Sequence, residues 1–328
     1  MNTPTVDPVK ILEPGLTIID SHHHLWHSHR DRYFTDAFQA DISTGYNVDA
    51  TIYVECSVMY SKDGPEDFKC VGEAEFVSGM AAMSDSGKFG PSRICAGFVG
   101  AANLLSEDLE KILEALDIAS GSRLRGIRGT ANWDADPSVN SGTRPIAPQA
   151  LLLDKRYQQG VRLLADRGLV YDAWQYHTQL KDLGALGEAL PDLTLVVNHC
   201  GGLLGVGPYA RDGNFQFWRD QVAAVAKHPN VNMKVGGLAG PRNGFGYEKR
   251  SSPATQAELV NDWRPYVEAC IDLFGPERCL FESNFPVDQI AGNYATIWNV
   301  FKEITSGIDP SAKAAMFSEN ACRLYRLK

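Results

Sequence analysis

The chain has 328 residues, 44% hydrophobic and 22% charged, with a formal net charge of −9. That composition belongs to a folded globular protein whose core is large enough to need neither disulfides nor a structural metal. The acidic balance excludes the basic face of a nucleic-acid binder, while an anionic small substrate stays open because pocket charge can oppose the global sign.

The N-terminal stretch, Met1 to Gly15, lacks the basic-then-apolar pattern of a secretion signal. No apolar run approaches the ~20 residues of a membrane span, so a cytoplasmic protein is predicted. Short apolar runs then recur at Leu16–Asp20, Ala50–Cys56, Ile94–Val99, Leu124–Arg128, Leu169–Trp174, Leu193–His199, Val231–Val235 and Cys279–Asn284. Most are apolar nearly throughout, as parallel strands covered on both faces are. Amphipathic stretches separate them. Ser106 is a predicted N-cap for a helix carrying Leu109, Ile112, Leu113 and Leu116. Tyr157, Val161 and Leu164 form a second stripe that ends at Gly168, and Leu183, Leu186 and Leu190 a third that stops at Pro191. Eight strand–helix units predict an α/β fold, and favour a (β/α)₈ TIM barrel over a doubly wound sheet. One domain over residues 1–328 is expected. The segments 131–149, 201–214 and 237–255 are rich in Gly, Pro, Asn and Ser and each follows a strand. They read as long βα loops enclosing a substrate on the C-terminal face. Trp133, Trp174, Tyr209, Phe245 and Tyr247 either line that mouth or serve as ordinary core and surface rings. The seven cysteines are odd in number and hold no CxxC pair, which fits reduced thiols.

Strand ends are where a barrel keeps its chemistry. The first strand runs into Asp20-Ser21-His22-His23-His24-Leu25-Trp26. Two imidazoles two residues apart share a strand face, so His22 and His24 can bind a metal or grip a substrate oxygen; a His-rich surface turn is the alternative. His199 closes the sixth strand and is either a pocket group or a structural histidine. Arg125 and Arg128, three apart, fall on opposite strand faces; Arg128 is nearer the tip and suits a substrate carboxylate, whereas Arg125 is as well placed to pair with a helix carboxylate. Glu282 and Asn284 share a face of the eighth strand, with Asp288 in the loop beyond, and a carboxylate there can serve as general base. Glu55, Asp172, Trp174, His177 and Lys234 are further candidates, each equally readable as a buried structural partner.

These segments together resemble the amidohydrolase-2 family, in its lactonase-like branch with the fuconolactonase-like and 2-pyrone-4,6-dicarboxylate lactonase-like enzymes. Asp20–Trp26 resembles its D-x-H-x-H-[FL]-W motif, Arg125-Gly126-Ile127-Arg128 its R-G-I-R, and Val197–Gly201 its D-H-x-G. Met233–Leu238 is similar to its K-x-S-G-L, and Asn320–Tyr325 to its N-A-x-R-x-Y ending. The resemblance spans about Leu16 to Lys328. It implies a (β/α)₈ barrel and lactone-type ester hydrolysis, with His22, His24 and His199 as pocket histidines and Arg128 as substrate arginine. Some relatives hold one divalent metal and others none. Three positions depart from the pattern. Asn284 stands where the family's G-S-D-W-P supplies a catalytic aspartate, Asn198 where an aspartate precedes the strand-six histidine, and Gly129 where a histidine is common.

The expectation is therefore a hydrolase acting on a small carboxylated substrate, foremost a lactone. In one version no metal is held: Arg128, Trp174 and His177 bind substrate, His22, His24 and Asn284 donate to the oxyanion, and His199, Asp288 or Glu282 is the base. In the other, His22, His24 and His199 hold zinc or manganese. The alternatives are a metal-dependent decarboxylase or hydratase of an aromatic-degradation intermediate, and a degenerate barrel that only binds ligand. Expected partners are the small-molecule substrate, with no nucleic acid or membrane; a homo-oligomer is compatible with the sequence.

Overall fold

A computed structural model describes residues 10–27, 31–139 and 146–327. Eight strands form one all-parallel sheet in sequential order: β1 (Thr17–His23), β2 (Asn47–Val54), β3 (Arg93–Gly100), β4 (Leu124–Thr130), β5 (Val170–Trp174), β6 (Leu195–Val197), β7 (Val231–Val235) and β8 (Cys279–Phe281). Just past β8 the seam between last and first strands is joined by Asn284 N–H donating to the His22 carbonyl at 2.9 Å and His24 N–H to the Phe285 carbonyl at 2.7 Å. The expected (β/α)₈ TIM barrel is the fold observed. A two-residue antiparallel pair, Trp26–His27 with Arg32–Tyr33, sits after β1.

Each strand is followed by a helix: α1 (Thr35–Ile42), α2 (Val71–Asp85), α3 (Leu109–Ala119), α4 (Lys155–Asp166), α5 (Leu180–Ala189), α6 (Arg211–Ala226), α7 (Gln256–Phe274) and α8 (Tyr294–Ile304). The α3 stripe Leu109, Ile112, Leu113 and Leu116 is buried as its spacing predicts, but Ser106 is not the N-cap. Helical geometry begins only after Asp108, and the Ser106 hydroxyl instead accepts from Asp108 N–H in the preceding turn. Asp154 caps α4 by accepting from Arg156 and Tyr157 N–H, and Thr255 with Glu258 forms a capping box on α7. No described helix is long and apolar enough to cross a membrane, and all seven cysteines are unpaired.

Two apolar layers hold the barrel. One lies between sheet and helices. The other fills the barrel interior, where Ile19, Ile52, Val54, Val99, Val170, Val196 and Leu280 meet Ala321, Leu324 and Tyr325 of the C-terminal helical segment. That segment plugs the barrel floor, so polar groups on inward strand positions are usable only at the opposite, C-terminal end.

Candidate active site

The end of β1 carries one more residue than β2 opposite it: Asp20 pairs with Thr51, and His23 with Tyr53. This bulge resets the side-chain alternation. His23 turns outward, stacked on Phe38 at 4.2 Å with Nε2 2.8 Å from Thr51 Oγ1. His22 and His24 turn inward and meet edge to face.

His24 Nδ1 lies 2.7 Å from the Val54 carbonyl. A carbonyl only accepts, so Nδ1 carries the proton and Nε2 a lone pair. His22 Nε2 lies 3.2 Å from that lone pair. On its other side, His22 Nδ1 lies 3.0 Å from Glu282 Oε2 and 3.5 Å from Lys234 Nζ. Burial, reinforced by the Lys234 charge, holds His22 well below the usual histidine range. It is thus neutral, with one proton for two nitrogens. Placed on Nδ1, the proton leaves two lone pairs facing each other; placed on Nε2, it lets Nδ1 accept from Lys234 but sets that lone pair 3.0 Å from the Glu282 carboxylate. A divalent cation held by His22 and His24 would satisfy the facing lone pairs of the first arrangement. Imidazole nitrogens backed by a carboxylate are a donor set suited to zinc. His22, His199 and Glu282 also offer ligand atoms that all lie within 4.8 Å of one another.

His199 is not on a strand. The sixth strand ends at Val197, and His199, Cys200, Gly201 and Gly202 have φ of 55°, 49°, 83° and 70°. This left-handed run swings the imidazole over the barrel mouth, its ring 4.6 Å from that of His22 and edge-on to Trp174 at 5.1 Å. Glu282 Oε1 accepts from the His199 main-chain N–H at 3.1 Å and lies 2.7 Å from Nδ1. A carboxylate there fixes the Nδ1–H tautomer and leaves Nε2 as an acceptor. Gly236 and Gly237 after β7 make room: a Cβ on Gly236 would overlap Glu282, and one on Gly237, at φ 62°, would overlap the His199 ring. Gly237→Ala is expected to lower kcat about 100-fold, since an ångström-scale shift of a reacting group costs that much, and to destabilise the fold by roughly 1–3 kcal/mol; steady-state kinetics with a thermal melt checks both.

The eighth strand ends at Phe281, and Asn284 has φ 52°, so simple alternation does not relate Glu282 to Asn284. Glu282 points between the histidines, whereas an Asn284 amide N–H donates to Asp288 Oδ1 at 2.7 Å. Asp288 is buried behind Asn284 and does not line the cavity. Burial is the main cause that raises its pKa to about 8. A carboxyl that binds its proton more tightly folded than unfolded makes stability fall as pH rises, here between about 4 and about 8. Asp288→Asn should remove that dependence, so urea midpoints of variant relative to parent should climb from pH 5 to 9.

The cavity at this end measures about 670 Å³, and His24, Trp26, Arg128, Trp174, His199 and Asn284 are among the groups lining it. Arg128 sits on its wall with Nε donating to Glu55 Oε1 at 2.6 Å and Nη2 to the Glu55 carbonyl. Beneath the histidines, Asp172 receives Lys234 Nζ at 2.7 Å, Asn198 Nδ2 at 2.5 Å and Tyr325 O–H at 2.5 Å. Asn198 thus serves as a donor to a neighbouring carboxylate. Gly129 admits no side chain, because Tyr171, bonded to Tyr157, fills the space.

Other sequence candidates lie elsewhere. His177 is fully buried away from the cavity, its Nδ1 accepting from Leu204 N–H at 3.2 Å, and burial lowers its pKa to about 4. Arg125 donates to the Ser122 and Leu124 carbonyls and not to a helix carboxylate. Of the five aromatics expected at the mouth, only Trp174 lines the cavity; Tyr209 donates to Asp134, and Phe245 and Tyr247 pack on Tyr266 and Trp263. Trp26 and Tyr176 line it without having been singled out. Trp26 closes the His-rich motif and was findable; Tyr176 had no signal.

The amidohydrolase family profile matches residues 19–327. The chain belongs to the amidohydrolase family. A Sinorhizobium fredii protein, y4mH, is 30% identical over 326 residues, covering 95% of this chain and 99% of its own length. An L-fucono-1,5-lactonase of Burkholderia ambifaria is 27% identical over 239 residues, 71% of each chain. Among solved structures, a Burkholderia multivorans amidohydrolase crystallised with bound zinc superposes with a TM-score of 0.73 at 23% identity, over 95% of this chain and 100% of that one.

Proposed function

We propose that this amidohydrolase opens the lactone ring of a small carboxylated substrate by attack of water. The observation that carries the reading is the buried Glu282 carboxylate on His199 Nδ1, beside two converging imidazoles, at the mouth of a cavity large enough for a sugar-sized ligand. The lactonase name of the Burkholderia ambifaria relative supports the substrate class.

His22 and His24 would hold one divalent cation, for which we propose zinc, through their Nε2 atoms. When bound, such a cation supplies a Lewis acid for the ester carbonyl and acidifies water. His199 Nε2 accepts the proton of the attacking water, and Glu282, retained on Nδ1–H, stabilises the imidazolium that forms. His199 then returns that proton to the ring oxygen as the acyl–oxygen bond breaks. Arg128, held by Glu55, faces the substrate carboxylate, and Trp174 packs beside it. Asp288 acts by positioning Asn284, which borders the reacting centre.

A pH-stat assay on L-fucono-1,5-lactone and a panel of carboxylated lactones tests the activity. One proton released per turnover and a hydroxy acid without carbon dioxide are expected; carbon dioxide would turn the reading to decarboxylation. His24→Ala should abolish metal binding measured by elemental analysis. The 4.6 Å approach of the His22 and His199 rings favours one variation, with His199 as a third ligand. His199→Ala separates the two: metal retained and turnover lost makes it the base, metal lost makes it a ligand.

A further inference from the structure

We propose that the loops after β2, β3 and β4 build a second subsite, which takes an apolar alkyl or aryl arm carried by the lactone; this rests on the lactone reading above. A cavity of about 370 Å³ adjoins the catalytic one, and Arg128 lines both. The catalytic cavity is walled mostly from the β5-to-β1 side of the mouth, with Cys56 after β2 and Arg128 of β4 completing it; the second is walled by Ser57 and Tyr60 after β2, Ala101 to Leu105 after β3, and Thr130 with Ile146 to Pro148 and Leu151 after β4.

Its character differs from that of its neighbour. Glu55 and Arg128 are the charged groups among its described lining residues, and they form a buried ion pair at 2.6 Å. Beyond that pair no described lining residue is charged, so an ion going past Arg128 meets no counter-charge from them, whereas a neutral apolar group meets Leu104, Ala147 and Tyr157 at the walls. Tyr60, Leu105 and Ile146 are 39%, 39% and 50% exposed at its rim. Large exposed apolar side chains gathered around one hollow mark a place where apolar surface is covered by a ligand. Gly129, whose Cβ position is blocked by Tyr171, leaves this side of the β4 end without a side chain. The ion pair thus marks the border: the lactone ring and its carboxylate lie on the His199 side, and the arm passes Arg128 into the second cavity.

The test is kcat/KM for γ-butyrolactone-β-carboxylate and its γ-ethyl, γ-butyl and γ-hexyl homologues, paired with calorimetric affinities for butanoate, hexanoate and octanoate. Burial of each added methylene should raise both by about fourfold until the subsite is full. Leu105→Asp and Ile146→Asp, both at the rim and away from the chemistry, should flatten the series while leaving turnover of the parent carboxylated lactone unchanged. A flat or falling series in the parent overturns the subsite, as does a rise that both variants retain, because the arm then lies elsewhere. Chain-length-dependent alkanoate binding with no lactone opened would overturn the lactone reading and keep the subsite; lactones opened with a flat series would do the reverse.

Discussion

Replacing Glu282 by glutamine is expected to lower kcat for lactone opening about 10³–10⁴-fold while the fold survives. Glu282 Oε1 holds both the main-chain N–H and Nδ1 of His199, at 3.1 and 2.7 Å. A carboxylate accepts only, so it sets the Nδ1–H tautomer and keeps Nε2 as the proton acceptor. An amide can present its NH₂ to Nδ1, move the ring proton to Nε2 and silence the base; loss of a carboxylate that orients a catalytic histidine carries this magnitude in hydrolases that use such a pair. Circular dichroism should be unchanged, and the histidine nitrogen spectrum should show the tautomer reversed. A loss below tenfold, or a tautomer unaltered in Glu282→Gln, would remove Glu282 from the mechanism. The aspartate that the lactonase-like pattern carries at the Asn284 position is missing, yet a carboxylate reappears two residues earlier, between His22 and His199.

Lys234→Met should be the most damaging single change to stability, at about 3–5 kcal/mol. Lys234 and Asp172 are both fully buried, paired at 2.7 Å. Removing the ammonium leaves the Asp172 carboxyl in the barrel with Asn198 and Tyr325 as its donors among the described residues, neither of them cationic. A fall of about 10 °C in Tm is expected from the usual scaling. The double change Lys234→Met with Asp172→Leu should recover much of it, because replacing both partners removes the stranded charge. A single variant melting within about 2 °C of the parent would show that the buried pair adds little to stability.

The barrel itself was legible in the chain. Eight apolar runs separated by amphipathic stripes leave few other ways to bury both faces of a parallel sheet, and the observed strands overlap all eight. Legibility failed at strand ends, for a physical reason. Alternation predicts direction only while the strand continues, and the chemistry lies where it stops. The apolar run Leu193–His199 predicts a strand tip at His199, but the strand ends at Val197, and a left-handed run that local pattern does not announce aims the ring. Alternation pairs Asn284 with Glu282, but its own positive φ and its hydrogen bond to Asp288 send it elsewhere. His22 and His24 were placed inward by counting, and they reach that position through a bulge visible only in the pairing of β1 with β2. His177, polar and loop-borne in the sequence, is buried away from the cavity.

By itself, then, the sequence determined the architecture, the lactonase-like motif order and the set of residue types available at the barrel mouth, because hydrophobic period and motif spacing are local properties of the chain. The tertiary structure alone decided which of these groups meet. Glu282 touches a histidine 83 positions away, Tyr325 reaches Asp172 across 153, and Glu55 holds Arg128 across 73. Contacts at such separations arise from barrel closure, from backbone turns with positive φ and from glycines that clear a path for a ring, and no local periodicity encodes them.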